Sequence, residues 1–316
     1  MIPYSRMLAA TLALLICSSG VIILGDRVAH AAEVECREKY TEPSPEDLAR
    51  TLWPSGFRPT VGMCERGFLH GTIVKGDYEK VEALYRANHK LLTFFSLQSP
   101  GGDATEAMKI GRLFRRYLIS VEAPLYHVFS IARCSSNEEC LCASACALIW
   151  FGAVERLGQV GLHRPRTADP RFKAMAPSDA SVAYKRMLAE ISRYLEEMEA
   201  PRAAIDAMVA TSSSEIRWWG ASGAANERER TPSIAEWTDA SCGSFTENEF
   251  ETMINLEVKK SAGLMPNEQM LLQFLTQKDT ATTKCEFALF HRHVDRLPPP
   301  DVVEINPFED LIPEHK

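Results

Sequence analysis

An α/β fold built from parallel βαβ units is predicted for residues 64–222 of this 316-residue chain. Three features predict it. Short apolar runs alternate with stretches of helical periodicity, the second run stops abruptly at Pro and Gly, and two stretches just after a strand carry the small residues of a ligand-facing loop. Residues 68–74 read as the first strand. Gly76-Asp77 then starts a helix whose apolar face holds Val81, Leu84 and Tyr85. Residues 91–97 form the second strand, which ends abruptly at Ser99-Pro100-Gly101-Gly102. Ala107, Ile110, Phe114 and Leu118 recur at helical spacing, and residues 124–129 read as a third strand. A cysteine-rich loop and the apolar run after Ser144 follow. Crossovers between parallel strands are right-handed, and ligands gather at the carboxyl ends of such sheets. Both suspicious stretches, Ser99–Gly102 and Cys142-Ala143-Ser144-Ala145-Cys146, therefore belong on one rim.

Beyond His163, Met187, Leu188, Ile191, Leu195 and Met198 give residues 182–199 the apolar face of a helix, and Pro201 can open another. Gly, Ser and charged residues between Gly220 and about residue 232 mark a boundary. The small C-terminal extension, 233–316, holds a loop from Cys242 to Cys285, a helix around 267–277 and Pro298-Pro299-Pro300. Residues 32–63 read as an irregular lead-in.

At 46% hydrophobic and 24% charged, the chain can bury an ordinary core. Its formal charge of −7 argues against a nucleic-acid partner, which calls for a basic face. Arg6, the apolar run from Met7 to Leu24, and Ala29-His30-Ala31 have the order of a secretory signal peptide over residues 1–31. Export to the periplasm or beyond follows. The alternative is an uncleaved anchor, since about 18 apolar residues approach a membrane span.

Export changes how the cysteines are read. Cys36, Cys64, Cys134, Cys140, Cys142, Cys146, Cys242 and Cys285 remain after cleavage, an even set suited to disulfides. Proximity in sequence suggests Cys36–Cys64 and Cys242–Cys285, with the other four paired among themselves. A rival is a zinc site from the cluster 134–146, but the spacing lacks the usual paired C-x-x-C knuckles, and no metal is assigned.

The run Leu91-Leu92-Thr93-Phe94-Phe95-Ser96-Leu97-Gln98-Ser99-Pro100-Gly101-Gly102-Asp103-Ala104, the Ala-Ser-Ala around Ser144, and Gly161-Leu162-His163-Arg164-Pro165 occur in this order. Together they resemble the Clp protease proteolytic subunit and crotonase superfamily, and most of all its exported periplasmic Clp-protease-like members. The resemblance covers about residues 64–222. It implies the ββα-type spiral of that superfamily, with Ser144 as nucleophile, His163 as base, and an oxyanion hole from Gly101 or Gly102 with the amide of Ala145. A serine hydroxyl needs an imidazole to take its proton, and the intermediate needs backbone donors. Bare glycines allow that close approach. The plainer readings are a strand-to-helix turn at the glycines and a small packing residue at Ser144.

Two departures from the family stand out. The 19-residue step from Ser144 to His163 is shorter by several residues than in the protease subunit. Where the family's aspartate belongs, the chain has Thr211-Ser212-Ser213-Ser214-Glu215. Glu215 is the third-member candidate and Asp206 a more distant one. Losing an orienting carboxylate costs about 10⁴ in turnover in a serine protease triad. His70, His89 and His127 are assigned no chemistry, nor are His291 and His293, which alternate like a strand face.

The expected function is serine-type hydrolysis of peptide bonds in peptides or unfolded segments, with no cofactor, no nucleic acid and no ATPase partner, in a homo-oligomer. The alternative is a non-catalytic binding or scaffold protein that keeps the fold. A third, acyl-thioester chemistry of the crotonase type, is disfavoured by export away from coenzyme A.

Overall fold

The computed structural model describes residues 31–42, 59–89, 91–124, 141–167, 170–220 and 229–297. In chain order its strands are β1 (Glu33–Lys39), β2 (Cys64–His70), β3 (Phe94–Gln98), β4 (Ser120–Glu122), β5 (Glu155–Leu157), β6 (Gln159–Leu162), β7 (Arg217–Gly220) and β8 (Glu229–Arg230). Its helices are α1 (Asp77–Asn88), α2 (Ala104–Arg116), α3 (Ala145–Gly152), α4 (Pro170–Ala174), α5 (Pro177–Glu197), α6 (Arg202–Ala210), α7 (Pro232–Cys242), α8 (Glu247–Lys259) and α9 (Pro266–Arg296). Six strands make one mixed sheet in the order β1-β2-β3-β4-β5-β8, and β6 and β7 form a second, antiparallel pair. The β2-β3, β3-β4 and β4-β5 pairings are parallel, as the alternation of strands and helices predicts.

Side-chain alternation fixes which face of the sheet meets the core. Leu69, Phe95, Leu97 and Val121 are fully buried, and Phe95 packs its ring on Phe114 of α2 at 4.8 Å. Gly67 leaves the room that the Phe95 ring occupies. Helix α3, ACALIWFG, is apolar all round and buried at every position, which is how such a sequence is accommodated inside a globular protein. It meets α2 through two glycines. A Cβ on Gly152 would land on the backbone of Gly111, and one on Gly111 would strike the Tyr194 hydroxyl. That hydroxyl donates to the Leu148 carbonyl at 2.8 Å, so α2, α3 and α5 share one contact.

Two acids fix the helix starts. Asp103 accepts from the amides of Thr105 and Glu106 at 2.8 and 3.1 Å, as an N-cap does. The buried Glu106 carboxylate accepts from the amides of Gly76 and Tyr78, both at 3.1 Å, and so ties the start of α1 to α2.

Several expectations need correction. Residues 33–39 are not an irregular lead-in: they form β1, antiparallel to β2 and held by the Cys36–Cys64 disulfide. The third strand is Ser120–Glu122, whereas residues 125–129 lie outside the described part, as do the predicted signal peptide up to residue 30 and the polyproline stretch. The helix expected at 267–277 runs from Pro266 to Arg296 and carries His291 and His293, which are therefore not on a strand. Among the described residues, no helix is long and apolar enough to cross a membrane.

The C-terminal helices are fastened through the sheet. Strand β8 pairs with β5, and the fully buried Thr231 then donates its amide to the Val154 carbonyl at 2.9 Å. Arg156, 1% exposed, approaches Glu229 at 3.3 Å and lies over the Trp150 ring. Burial is the main cause that pushes its guanidinium pKa down to about 10. The Cys242–Cys285 disulfide joins α7 to α9, and Val294 and Leu297 return to pack on the main core.

The α2–α3 crossing yields a direct test. Gly152→Ala forces backbone apart rather than moving a flexible side chain, so it costs about 1–3 kcal/mol of stability. A lowered urea midpoint with an unchanged slope is the expected readout. An unchanged midpoint would mean that the helices are not in this contact.

Candidate functional site

Three passes of backbone meet where β3, the start of α3 and β6 converge. Ser99, fully buried, donates its amide to the Leu141 carbonyl at 2.7 Å and accepts from the Ala143 amide at 3.0 Å. Ser144 then donates its amide to Gly161 at 2.9 Å, and Gly161 donates back to Cys142 at 2.8 Å. Ser144 is thereby fixed between the chain end of β3 and strand β6. It is the residue just before α3 and is half-buried, with φ 58° and ψ −123°. A non-glycine residue rarely takes up such a conformation, at a cost of order 1–3 kcal/mol. A sharp strand-to-helix turn of this kind lifts a hydroxyl clear of its neighbours, as in the nucleophile elbow of hydrolases.

The Cys142–Cys146 disulfide spans this turn, with 5.2 Å between the Cα atoms. It joins the residue bridged to Ser99, two before Ser144, to the first turn of α3. It also takes up two of the four thiols that the zinc alternative required, while Cys134 and Cys140 lie outside the described residues. Among the described residues, no group of His, Cys, Asp or Glu is placed to hold a metal ion.

Of the two predicted glycines, Gly101 lies against the serine and Gly102 against Ile73. Gly101 has φ +102°, and a Cβ there would stand 2.5 Å from the Ser144 Cβ and 3.0 Å from the Ala145 nitrogen. Its own amide is occupied, since it donates to Ser99 Oγ at 3.0 Å. Gly102 lies opposite Ile73 in a parallel bridge: Ile73 donates to the Gly101 carbonyl at 2.9 Å, and Asp103 donates to the Ile73 carbonyl at 2.8 Å. In that pattern the N–H of Gly102 faces away from Ile73. Ala145, at the first helical position, has an amide that the helix ladder leaves without an acceptor. Among the described residues no acceptor takes the amide of Gly102 or of Ala145, and Gly101 is the one residue between Gly102 and the contact with Ser144. Ser99 was not singled out in the sequence; its signal is a hydroxyl placed two residues before a glycine in a tight loop.

His163 follows β6, two residues after the Gly161 that holds Ser144, and is half-buried. Its Nδ1 lies 2.8 Å from the carbonyl of Arg164. A carbonyl can only accept, so Nδ1 carries the proton and Nε2 keeps the lone pair that a general base needs. The Arg164 peptide is itself held, with its amide donating to the Thr211 carbonyl at 2.9 Å. The next carbonyl, of Pro165, accepts from the Tyr184 hydroxyl at 3.0 Å.

The third-member candidates are placed otherwise. Glu215 is exposed and, among the described residues, forms no ion pair with His163; its amide closes a turn onto Ser212. Asp206 pairs with Arg202 at 3.0 Å on α6. The orienting partner of His163 is a main-chain carbonyl, which no side-chain pattern could have revealed. Of the other histidines, His70 stacks on Phe68 with centroids 4.7 Å apart, His89 is exposed, His291 is buried against Phe287, and His127 lies outside the described residues.

No family model matches the chain, and no curated protein matches it.

The strain at Ser144 can be measured without reference to activity. At φ 58° and ψ −123° glycine is unstrained, being near the mirror image of a common extended conformation. Ser144→Gly is expected to be more stable than Ser144→Ala by about 1–3 kcal/mol in chemical denaturation. Equal stabilities would mean that the turn is relaxed.

Proposed function

We propose that the chain is an exported serine peptidase-like hydrolase of the Clp protease and crotonase type, acting on peptide bonds in peptides or unfolded segments. The observation that carries the reading is the strained Ser144, with Gly101 packed against it and against the amide of Ala145. Strain of this kind collects at functional sites because a relaxed alternative would be selected if nothing required it.

In the proposed reaction, Ser144 Oγ attacks the substrate carbonyl carbon while its proton passes to His163 Nε2. The amides of Gly102 and Ala145 stabilise the developing oxyanion, and α3 adds the favourable end of its dipole. Collapse of the intermediate breaks the C–N bond, and the imidazolium returns the proton to the leaving amine. Water, deprotonated by the same nitrogen, then attacks the acyl carbon, the bond to Ser144 Oγ breaks, and the imidazolium returns its proton to that oxygen. The Arg164 carbonyl keeps the imidazole in the needed tautomer throughout but adds no full negative charge.

That last point favours a second reading, a binding or scaffold protein that keeps the fold without turnover, since among the described residues no carboxylate bonds to His163. Fluorophosphonate labelling of the oxidised protein separates the two. The wild type should label, Ser144→Ala should not, and His163→Ala should label at least about 10³-fold more slowly. Gly101→Ala should slow labelling by about 10²-fold, because its Cβ falls on the donors' approach. A folded wild type that fails to label would leave the binding reading in place of the hydrolase.

A further inference from the structure

The charge around His163 departs from that of the rest of the chain. Residues 163–186 contain six basic and two acidic residues, in a protein with 35 basic and 42 acidic residues overall. Arg164, Arg166, Lys173, Lys185, Arg186 and Arg217 are all exposed, and among the described residues none of them pairs with a carboxylate. Elsewhere many cations are matched, among them Arg66 with Glu122, Arg112 with Glu197, Arg115 with Glu199, Arg202 with Asp206 and Arg230 with Glu286.

The fold brings the elements that carry these six to one loop. Arg164 and Arg166 follow His163 directly. Arg217 of β7 lies opposite Leu162 in the strand pair, one residue from the base. Lys185 and Arg186 follow Tyr184, whose hydroxyl holds the Pro165 carbonyl, and Lys173 follows Phe172, whose ring packs 6.5 Å from that of Tyr184. Exposed like charges repel, and a cluster left unmatched raises the local concentration of an anionic partner. Beside them Ile216, 46% exposed, lies over Gly161, the residue bonded to Ser144. The rim thus offers cations around an apolar spot.

We propose that this rim selects acidic peptides: a segment rich in Glu or Asp, with an apolar residue at Ile216, is the substrate class of the Ser144 site. The inference rests on the hydrolase reading for the word substrate, but not for the binding. A peptide fits better than a nucleic acid, because the remainder of this acidic protein would repel a long polyanion and a short acidic segment need touch only the rim.

The test uses the full mature chain, oxidised, as Ser144→Ala, so that binding is read without turnover. Two fluorescent peptides of about ten residues are compared by anisotropy, one alternating Glu with Leu and Ala, the other with Gln for each Glu. The Glu peptide should bind at least about tenfold more tightly at low salt. The preference should fall to about twofold or less near 1 M salt, where the Debye length is about 3 Å. It should also vanish when Arg166→Glu, Lys173→Glu and Arg217→Glu are added, with circular dichroism confirming the fold. Equal binding of the two peptides, or an undiminished preference in the substituted protein, would overturn the proposal. So would binding to phosphatidylglycerol vesicles with no binding to either peptide, which would make the rim a membrane contact. Labelling of wild-type Ser144 by fluorophosphonate is a separate readout, so loss of the hydrolase reading and loss of the peptide preference are told apart.

Discussion

The candidate site depends on one backbone knot. Four main-chain hydrogen bonds join Ser99 to Leu141 and Ala143, and Ser144 and Gly161 to each other's strands. They hold Ser144 in a conformation that it would not keep alone. Each such bond adds only about 0.5–1.5 kcal/mol net, yet breaking one here strands a buried donor or acceptor at a further cost. Their sum exceeds the strain of one residue, and the Cys142–Cys146 bond keeps the two ends of the turn from parting.

The knot also explains the small residues around it. A Cβ on Gly161 would stand 2.9 Å from the Cβ of Ala143, so neither position tolerates a larger side chain. Gly101 touches Ser144 itself and Gly102 touches Ile73. The alanines and glycines that made these stretches conspicuous are therefore there because three strands pass at close range. That closeness also puts Gly101 against both the serine and the amide of Ala145. Packing and chemistry impose the same composition, which is why the composition alone could not choose between them.

The same distinction separates what was legible in the sequence from what was not. The parallel pairing of β2 with β3 followed from period and punctuation, whereas β4, Ser120-Val121-Glu122, holds a single apolar residue and the apolar run after it drew the expected strand to 124–129. Strand β1 was missed since only Val34 and Cys36 face inward along Glu33–Lys39, too few to show a period of two. Helix α9 was cut short because its buried positions, Leu272, Leu275, Thr282 and His291, include polar residues and are far apart. At the site, the serine, the histidine and the glycines were legible as side chains or as their absence. The strain at Ser144 and the acceptor for His163 were not, because both belong to the main chain.

That main-chain acceptor bears on how the candidate base is held. A carboxylate does two things for a catalytic imidazole: it fixes the tautomer and it balances the charge that forms. The Arg164 carbonyl can do the first as well, and supplies only a dipole for the second. Its own position is set from three sides, by β6 before it, by Thr211 on its amide, and by Tyr184 on the next carbonyl. The orienting role is thereby spread over α5 and the chain after α6 instead of resting on one side chain. Glu215 and Asp206 are free of it, and a substitution at either need not disturb the imidazole. A shift of α5 or of the Thr211 turn would disturb it, because either would move the Arg164 peptide and with it the proton on Nδ1.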